Sequence, residues 1–209
     1  MFVHSYNHEN IYLWADLHLN HDRPFIIEPR GFENIQTHND AIKARIRKVP
    51  YGATLWLLGD TVFGYDAEAS LEKFLEQVPA TEIILMPGNH FSGFKQMKSR
   101  RGRQFTLADK EIRLVSNLEE MRVKDQGIVV SHYPIMSWNG AGKGAWMVHG
   151  HVHGRIPTSL PNRYDGGKIL DVGIESCPEP VSIAEVRAIM EKKAFKQVDH
   201  HGNDTANSF

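Results

Sequence analysis

The feature that most limits the fold is a series of short apolar runs. They are IYLWA (11–15), TLWLL (54–58), EIILM (82–86), EIRLV (111–115), GIVVS (127–131), AWMVH (145–149) and KILDV (168–172). Most are nearly continuous in apolar residues, which suits strands covered on both faces. Helical patterns fall between some of them. Ile42, Ile46 and Val49 follow i, i+4, i+7 spacing, and Leu71, Phe74, Leu75 and Val78 follow i, i+3, i+4, i+7. Ser182 and Glu185 have the spacing of a capping box, with Ile183, Val186 and Met190 on one face of the helix it would start. Alternating strands and helices predict a layered α/β domain. At 209 residues the chain suits one domain, expected over 1–198, with the polar stretch 199–209 a flexible tail.

The strand-like runs share a second property: several stop at a polar residue able to bind a ligand. IYLWA ends in Asp16-Leu17-His18, TLWLL in Gly59-Asp60, and EIILM in Pro87-Gly88-Asn89-His90. GIVVS ends in His132, and AWMVH leads into Gly150-His151-Val152-His153. In α/β sheets, sites form beyond the carboxyl ends of strands, so five strand ends could bring these groups to one edge.

Composition excludes several classes. The net charge is −1, so there is no long-range pull toward nucleic acid or an anionic membrane. Cys177 is the single cysteine, which removes both an internal disulfide framework and a cysteine-based zinc site. The opening MFVHSYNHEN lacks the pattern of a secretory signal, and no apolar run approaches the roughly 20 residues that span a bilayer. The expectation is a cytoplasmic protein without a membrane partner.

Asp16, His18, Asp60, Asn89, His132, His151 and His153 offer carboxylate, amide and imidazole donors and no sulfur. That mixture suits first-row divalent ions such as Mn, Fe, Co, Ni or Zn. Seven donors are too many for one tetrahedral zinc but suit two ions about 3.5–4 Å apart that share a carboxylate. Each fragment alone has an ordinary reading: GD and GNH as turns, His132 as a core histidine, H-x-H as a solvated loop. Their shared position at strand ends is what favours metal.

DLH (16–18), GD (59–60), GNH (88–90), SH (131–132) and GHVH (150–153) resemble the five motif blocks of the calcineurin-like metallophosphoesterases. DLHLNHDRPF and SHYPIMSWNGAGKGAW are similar to small stand-alone bacterial and phage members of that superfamily. The resemblance implies a four-layer αββα sandwich with a dinuclear metal site at the C-terminal ends of strands. It implies that Asp16, His18 and His153 bind one ion, that Asn89, His132 and His151 bind the other, and that Asp60 bridges. It makes His90 a catalytic histidine. Two ions, with manganese the first candidate, would neutralise a phosphoryl group and supply a bridging hydroxide, while His90 protonates the leaving group. Two positions depart from the family pattern. Phe91 stands where an acid commonly follows GNH, and Asn20 stands where glycine often precedes His21. His21 could support the ligands, face substrate, or be a plain loop histidine.

Other residues are candidates for choosing the substrate. SWNGAGKG (137–144) could approach a phosphate with Asn139 and Lys143, although a surface connection is nearly as good a reading. Arg23 and Arg30 could clamp a phosphate, and KQMKSRRGR (95–103) could steer anions or merely be a solvated face. The leading expectation is hydrolysis of a phosphorylated small molecule or nucleotide. A nuclease acting on single-stranded nucleic acid is the first alternative, less favoured on charge. A non-catalytic protein-binding scaffold of the same fold is the second.

Overall fold

The computed structural model describes residues 3–155 and 167–193. Its strands are β1 (Val3–Tyr6), β2 (Ile11–Trp14), β3 (Thr54–Leu58), β4 (Glu82–Met86), β5 (Gln104–Leu107), β6 (Lys110–Leu114), β7 (Leu118–Val123), β8 (Gln126–Ser131), β9 (Trp146–His149), β10 (Ile169–Asp171) and β11 (Val181–Ser182). The helices are α1 (Pro24–Ile27), α2 (Ile35–Ile46), α3 (Ala67–Leu75) and α4 (Ile183–Lys192). All seven apolar runs are strands. The tail 199–209, and with it the end of the expected domain, lies outside the described residues.

Two sheets form. One has six strands in the order β11-β2-β3-β4-β6-β5, and the other has five in the order β1-β7-β8-β9-β10. β2, β3, β4 and β6 run parallel, as do β8, β9 and β10. Alternation along each strand explains the continuous apolar runs. Leu55 and Leu57 of β3 face Ile42 and Ile46 of α2 and Leu71 and Phe74 of α3. Trp56 and Leu58 face the other way, into the layer between the sheets, where they join Met121, Ile128, Val130 and Val148. Both faces of this strand are buried, so neither can be polar.

Helix ends follow local signals. The Ser182 side chain accepts from Glu185 N while the Glu185 side chain accepts from Ser182 N, the capping box that the spacing predicts for α4. Asn34 and Thr37 cap α2 in the same way.

The four-layer expectation is met by three layers: helices, sheet, sheet. The outer face of the five-stranded sheet carries Val129, Met147 and Ile169, and it is covered by Ile135 and Trp138 of the 132–145 connection. No helix covers it among the described residues. α4 instead joins the layer between the sheets, through Ile183, Val186 and Met190. Nor, among the described residues, is any helix long and apolar enough to cross a membrane.

One buried polar cluster links α2 to the strand ends. His38 is fully buried, its Nε2 lies 2.7 Å from the Arg30 guanidinium, and its Nδ1 lies 3.2 Å from Asn39 Oδ1. Burial, reinforced by the Arg30 charge, pushes His38 down to about 4. A histidine ordinarily titrates near 6.5. Below that value the unfolded chain takes up a proton that the folded one refuses, so stability is full above about pH 6.5 and falls toward pH 4. Thermal melting across pH 8 to 4.5 is expected to show this decline, shallower in His38→Gln. An equal slope in the variant would assign acid loss to other groups.

Candidate metal centre

The candidate ligands all follow strand ends. Asp16 lies two residues beyond β2, Asp60 two beyond β3, and Asn89 three beyond β4; His132 directly follows β8, and His151 lies two beyond β9. The chain must turn sharply there to aim each side chain inward. Asp16, His18, Asp60, His151 and His153 accordingly have φ of 57°, 49°, 49°, 73° and 49°, in the left-handed region that non-glycine residues rarely adopt. Such strain costs roughly 1–3 kcal/mol per residue and persists where the surroundings impose it. Part of the restraint is visible: Asp16 N donates to Gly59 O at 3.2 Å, and His18 N to Asp60 O at 2.8 Å. Glycine is required beside these turns. A Cβ on Gly59 would lie 2.2 Å from His132 Nδ1, and one on Gly88 2.2 Å from Asp60 Oδ1.

Three groups of donors result among the described residues, one of them His18, His21 and His90; the other two meet at Asp60. Asp16, His18 and His153 form one, and Asp60, His132 and His151 the other, each able to present ligand atoms within 4.8 Å of one another. Asn89 joins the second group, with Oδ1 2.8 Å from His132 Nε2. Asp60 lies between them. Its Oδ2 is 3.8 Å from His18 Nε2 and 3.5 Å from His132 Nε2, while its Oδ1 accepts from His90 N at 2.9 Å.

Hydrogen bonds assign the free nitrogens. His132 Nδ1 donates to Leu58 O at 2.9 Å and His153 Nδ1 to Glu175 at 2.6 Å, so Nε2 is the nitrogen each ring turns toward the centre, that of His132 lying against Asn89 Oδ1. His18 Nδ1 lies 2.9 Å from His21 Nδ1. Burial pushes His18 down to about 2 and His21 to about 4, so both rings are neutral and one Nδ1 must donate to the other. If His18 donates, its Nε2 is free toward Asp60.

These donors fit divalent metal ions. Asp16 Oδ1 and His18 Nε2 are buried polar atoms with no hydrogen-bond partner. Such orphans are rare and costly unless something else satisfies them. Burial pushes the Asp16 carboxyl up to about 7, against the pull of His132 and His153. A cation would restore its charge. Asp60 is also buried, which raises its pKa, but the His132 ring and the His90 amide outweigh burial and hold it down to about 2.

A buried buttress that the motifs did not reveal stands behind this group. Glu175 receives the His153 N–H and pairs with Arg30 at 2.8 Å, and Arg30 also donates to the Asp16 and Leu17 carbonyls. Arg30 is thus committed to the scaffold and not to a phosphate. Its length and lone charge in a loop carried no signal of this. Glu175→Gln should weaken metal binding roughly 10–100-fold, the usual cost of losing such a support. Competition titration with a chelator checks this, and an unchanged affinity would reduce Glu175 to packing.

The remaining candidates divide. His21 stacks on Phe63 at 3.8 Å, its Nδ1 lies 2.9 Å from His18 Nδ1, and it could also present a donor together with His18 and His90. His90 Nε2 is 4.0 Å from Asp60 Oδ2, with its ring edge-on to His18, His21 and Phe63. Phe91 packs into the core and stacks on Phe94 at 4.3 Å. His149 is fully buried, and its Nδ1 donates to Gly150 O. It belongs to none of the donor groups.

A cleft of about 480 Å³ opens onto the centre, lined in part by His18, Asp60, Asn89, His90, His151 and His153. Phe25 and Arg155 also line it; Arg23 is exposed and does not. Asn139 and Lys143 lie elsewhere. Asn139 Nδ2 donates to Glu120, and both residues line a separate cavity with Gln126 and Gly127. Those two begin β8, while His132 directly follows its end. At about 3.3 Å per residue the centre is roughly 17 Å away, so the glycine-rich loop serves the opposite edge.

The chain is similar to a solved structure of a protein of unknown function from Aquifex aeolicus, at 18% identity, with a TM-score of 0.61 over 86% of this chain and 98% of that one. This shows a shared fold. A structure described as a novel archaeal phosphodiesterase aligns at 17% identity over 80% of this chain and 84% of that one, with a TM-score of 0.42, too low to carry an argument. No family model matches the chain, and no curated protein matches it.

Proposed function

We propose that this protein is a metal-dependent phosphoesterase that hydrolyses phosphomono- or phosphodiesters using two divalent ions, manganese first among the candidates. The observation that carries the reading is Asp60 Oδ2, which stands 3.8 Å from the unpaired Nε2 of His18 and 3.5 Å from Nε2 of His132, at a single point between two donor groups. When bound, two such ions supply charge for the phosphoryl oxygens and an acidified water as nucleophile. Asp16, His18 and His153 would hold one, Asn89, His132 and His151 the other, with Asp60 shared. The strained turns and the Glu175–Arg30 pair keep these donors fixed, so little reorganisation is needed on binding. His90 stands on the cleft wall, half exposed, with Nε2 free of a short hydrogen bond. From there it would hold a proton at Nε2 and pass it to the leaving oxygen.

The expected result is hydrolysis of bis-p-nitrophenyl phosphate or p-nitrophenyl phosphate that stops with a chelator and returns with Mn²⁺. Inactivity toward both esters with Mn, Fe, Co, Ni and Zn would overturn the proposal. Cleavage of single-stranded DNA without cleavage of small esters would make it a nuclease.

A further inference from the structure

The cleft over the centre is lined by more than donors. Phe25, Ile26, Pro29 and Val152 also line it, together with Arg155 and Glu175. Glu175 is already paired with His153 and Arg30. Among the described residues, Arg155 is then the one polar side chain of the lining that remains besides the donors and His90. The donors thus share one cleft with an apolar wall.

Phe25 is the accessible part of that wall. It is 67% exposed, whereas Ile26 and Ile27, its neighbours in α1, are buried. The segment that carries it is held at both ends. Before α1, Arg23 N donates to His21 O at 2.9 Å. After it, the Arg30 side chain donates to the Asp16 and Leu17 carbonyls and pairs with Glu175. The wall is therefore anchored to the same turns that carry the donors, and a surface fixed beforehand loses little freedom on binding.

Ring contacts place the wall relative to His90. The His90 and His21 rings are edge-on with centroids 5.2 Å apart, and the His21 and Phe25 rings are edge-on at 5.6 Å. Phe25 is two ring contacts from the proposed proton donor. A group attached to the oxygen that His90 protonates needs only the size of one ring to reach it. A polar leaving group would lose water against Phe25, Ile26 and Pro29, with Arg155 alone to replace it. An aromatic ring would bury apolar area and gain a ring contact.

We propose that the substrates are phosphoesters whose leaving group carries an aromatic ring one or two bonds from the ester oxygen, and that Phe25 selects for that ring. The phosphoryl group lies at the metal centre, the ester oxygen at His90, and the ring against Phe25. The assignment rests on the phosphoesterase reading for the group placed at the centre. Tyr133 serves as the contrast. It packs against His132 and His151 at 4.9 and 4.6 Å, beside the other donor group, and has no part in selecting the ring.

Equilibrium titration of the Mn²⁺-loaded protein with benzylphosphonate and 2-phenylethylphosphonate tests it, because a CH₂ group replaces the ester oxygen and is not hydrolysed. Methylphosphonate is the reference probe. At least one aromatic phosphonate should bind roughly tenfold or more tighter than methylphosphonate, and severalfold tighter than its cyclohexyl counterpart. Phe25→Ala, at an exposed position that folding tolerates, should bring the aromatic phosphonate and methylphosphonate within about threefold of each other. Tyr133→Ala should keep the preference. No preference in the wild type, an equal affinity for the cyclohexyl compound, a preference that survives Phe25→Ala, or one lost in Tyr133→Ala overturns the inference. If the aromatic phosphonate is preferred through Phe25 but no phosphoester is hydrolysed, the wall stands and the phosphoesterase reading fails. If benzyl phosphate is hydrolysed with a kcat/KM no higher than that of ethyl phosphate, the phosphoesterase reading stands and the inference fails.

Discussion

Asp60→Asn should fold normally, lose at least one metal ion and lose phosphoester hydrolysis by a factor on the order of 10³ or more. The substitution keeps the shape of the side chain, and an asparagine oxygen can still accept from His90 N, so the turn after β3 survives. What changes is the other atom. Oδ2, between His18 Nε2 and His132 Nε2 at 3.8 and 3.5 Å, becomes an NH₂ group. That group brings no charge and turns N–H toward the nitrogens a metal would use. Without metal the change removes only the Asp60–His132 ion pair, so the melting temperature should hold or fall slightly. Metal analysis of the dialysed protein, calorimetry and ester hydrolysis together check this. A variant that keeps two ions and full activity would remove Asp60 from the centre.

His90→Ala should behave in the opposite way, keeping both ions while kcat falls roughly 10²–10⁴-fold, the usual contribution of a positioned acid. The backbone N–H that supports Asp60 belongs to residue 90 whatever its side chain, so the carboxylate stays in place. The loss should depend on the leaving group. An ester releasing an alkoxide needs the proton and should suffer most, whereas one releasing p-nitrophenolate should suffer least. Equal losses for both esters, or loss of metal, would take the acid role from His90.

Much of this arrangement is legible locally. An apolar run with both faces buried reads as a strand, and each of the seven is one. A residue type reads as a donor, so Asp16, His18, Asp60, Asn89, His132, His151 and His153 stand out. The capping box at Ser182 fixes the start of α4 because it involves residues three apart. The misses have a common cause. Asn139 and Lys143 follow His132 closely in sequence, yet the connection runs back along the sheet to the start of β9, which must lie parallel to β8. Sequence proximity to a ligand is then distance from the site. The helical fourth layer was inferred from resemblance, and loop side chains occupy that face among the described residues. Glu175 and Arg30 carry no motif, because 145 residues separate them.

The sequence by itself determined the element types and the donor chemistry, since both depend on the period of apolar residues and on functional groups that are present wherever the chain goes. Only the tertiary structure decided which imidazole nitrogen faces the centre, that His21 and Glu175 contact two of the rings, and that Phe63 packs edge-on to His90. These are relations between residues far apart in the chain, set by strand register and by which buried groups find a partner. A pattern read along one strand contains neither.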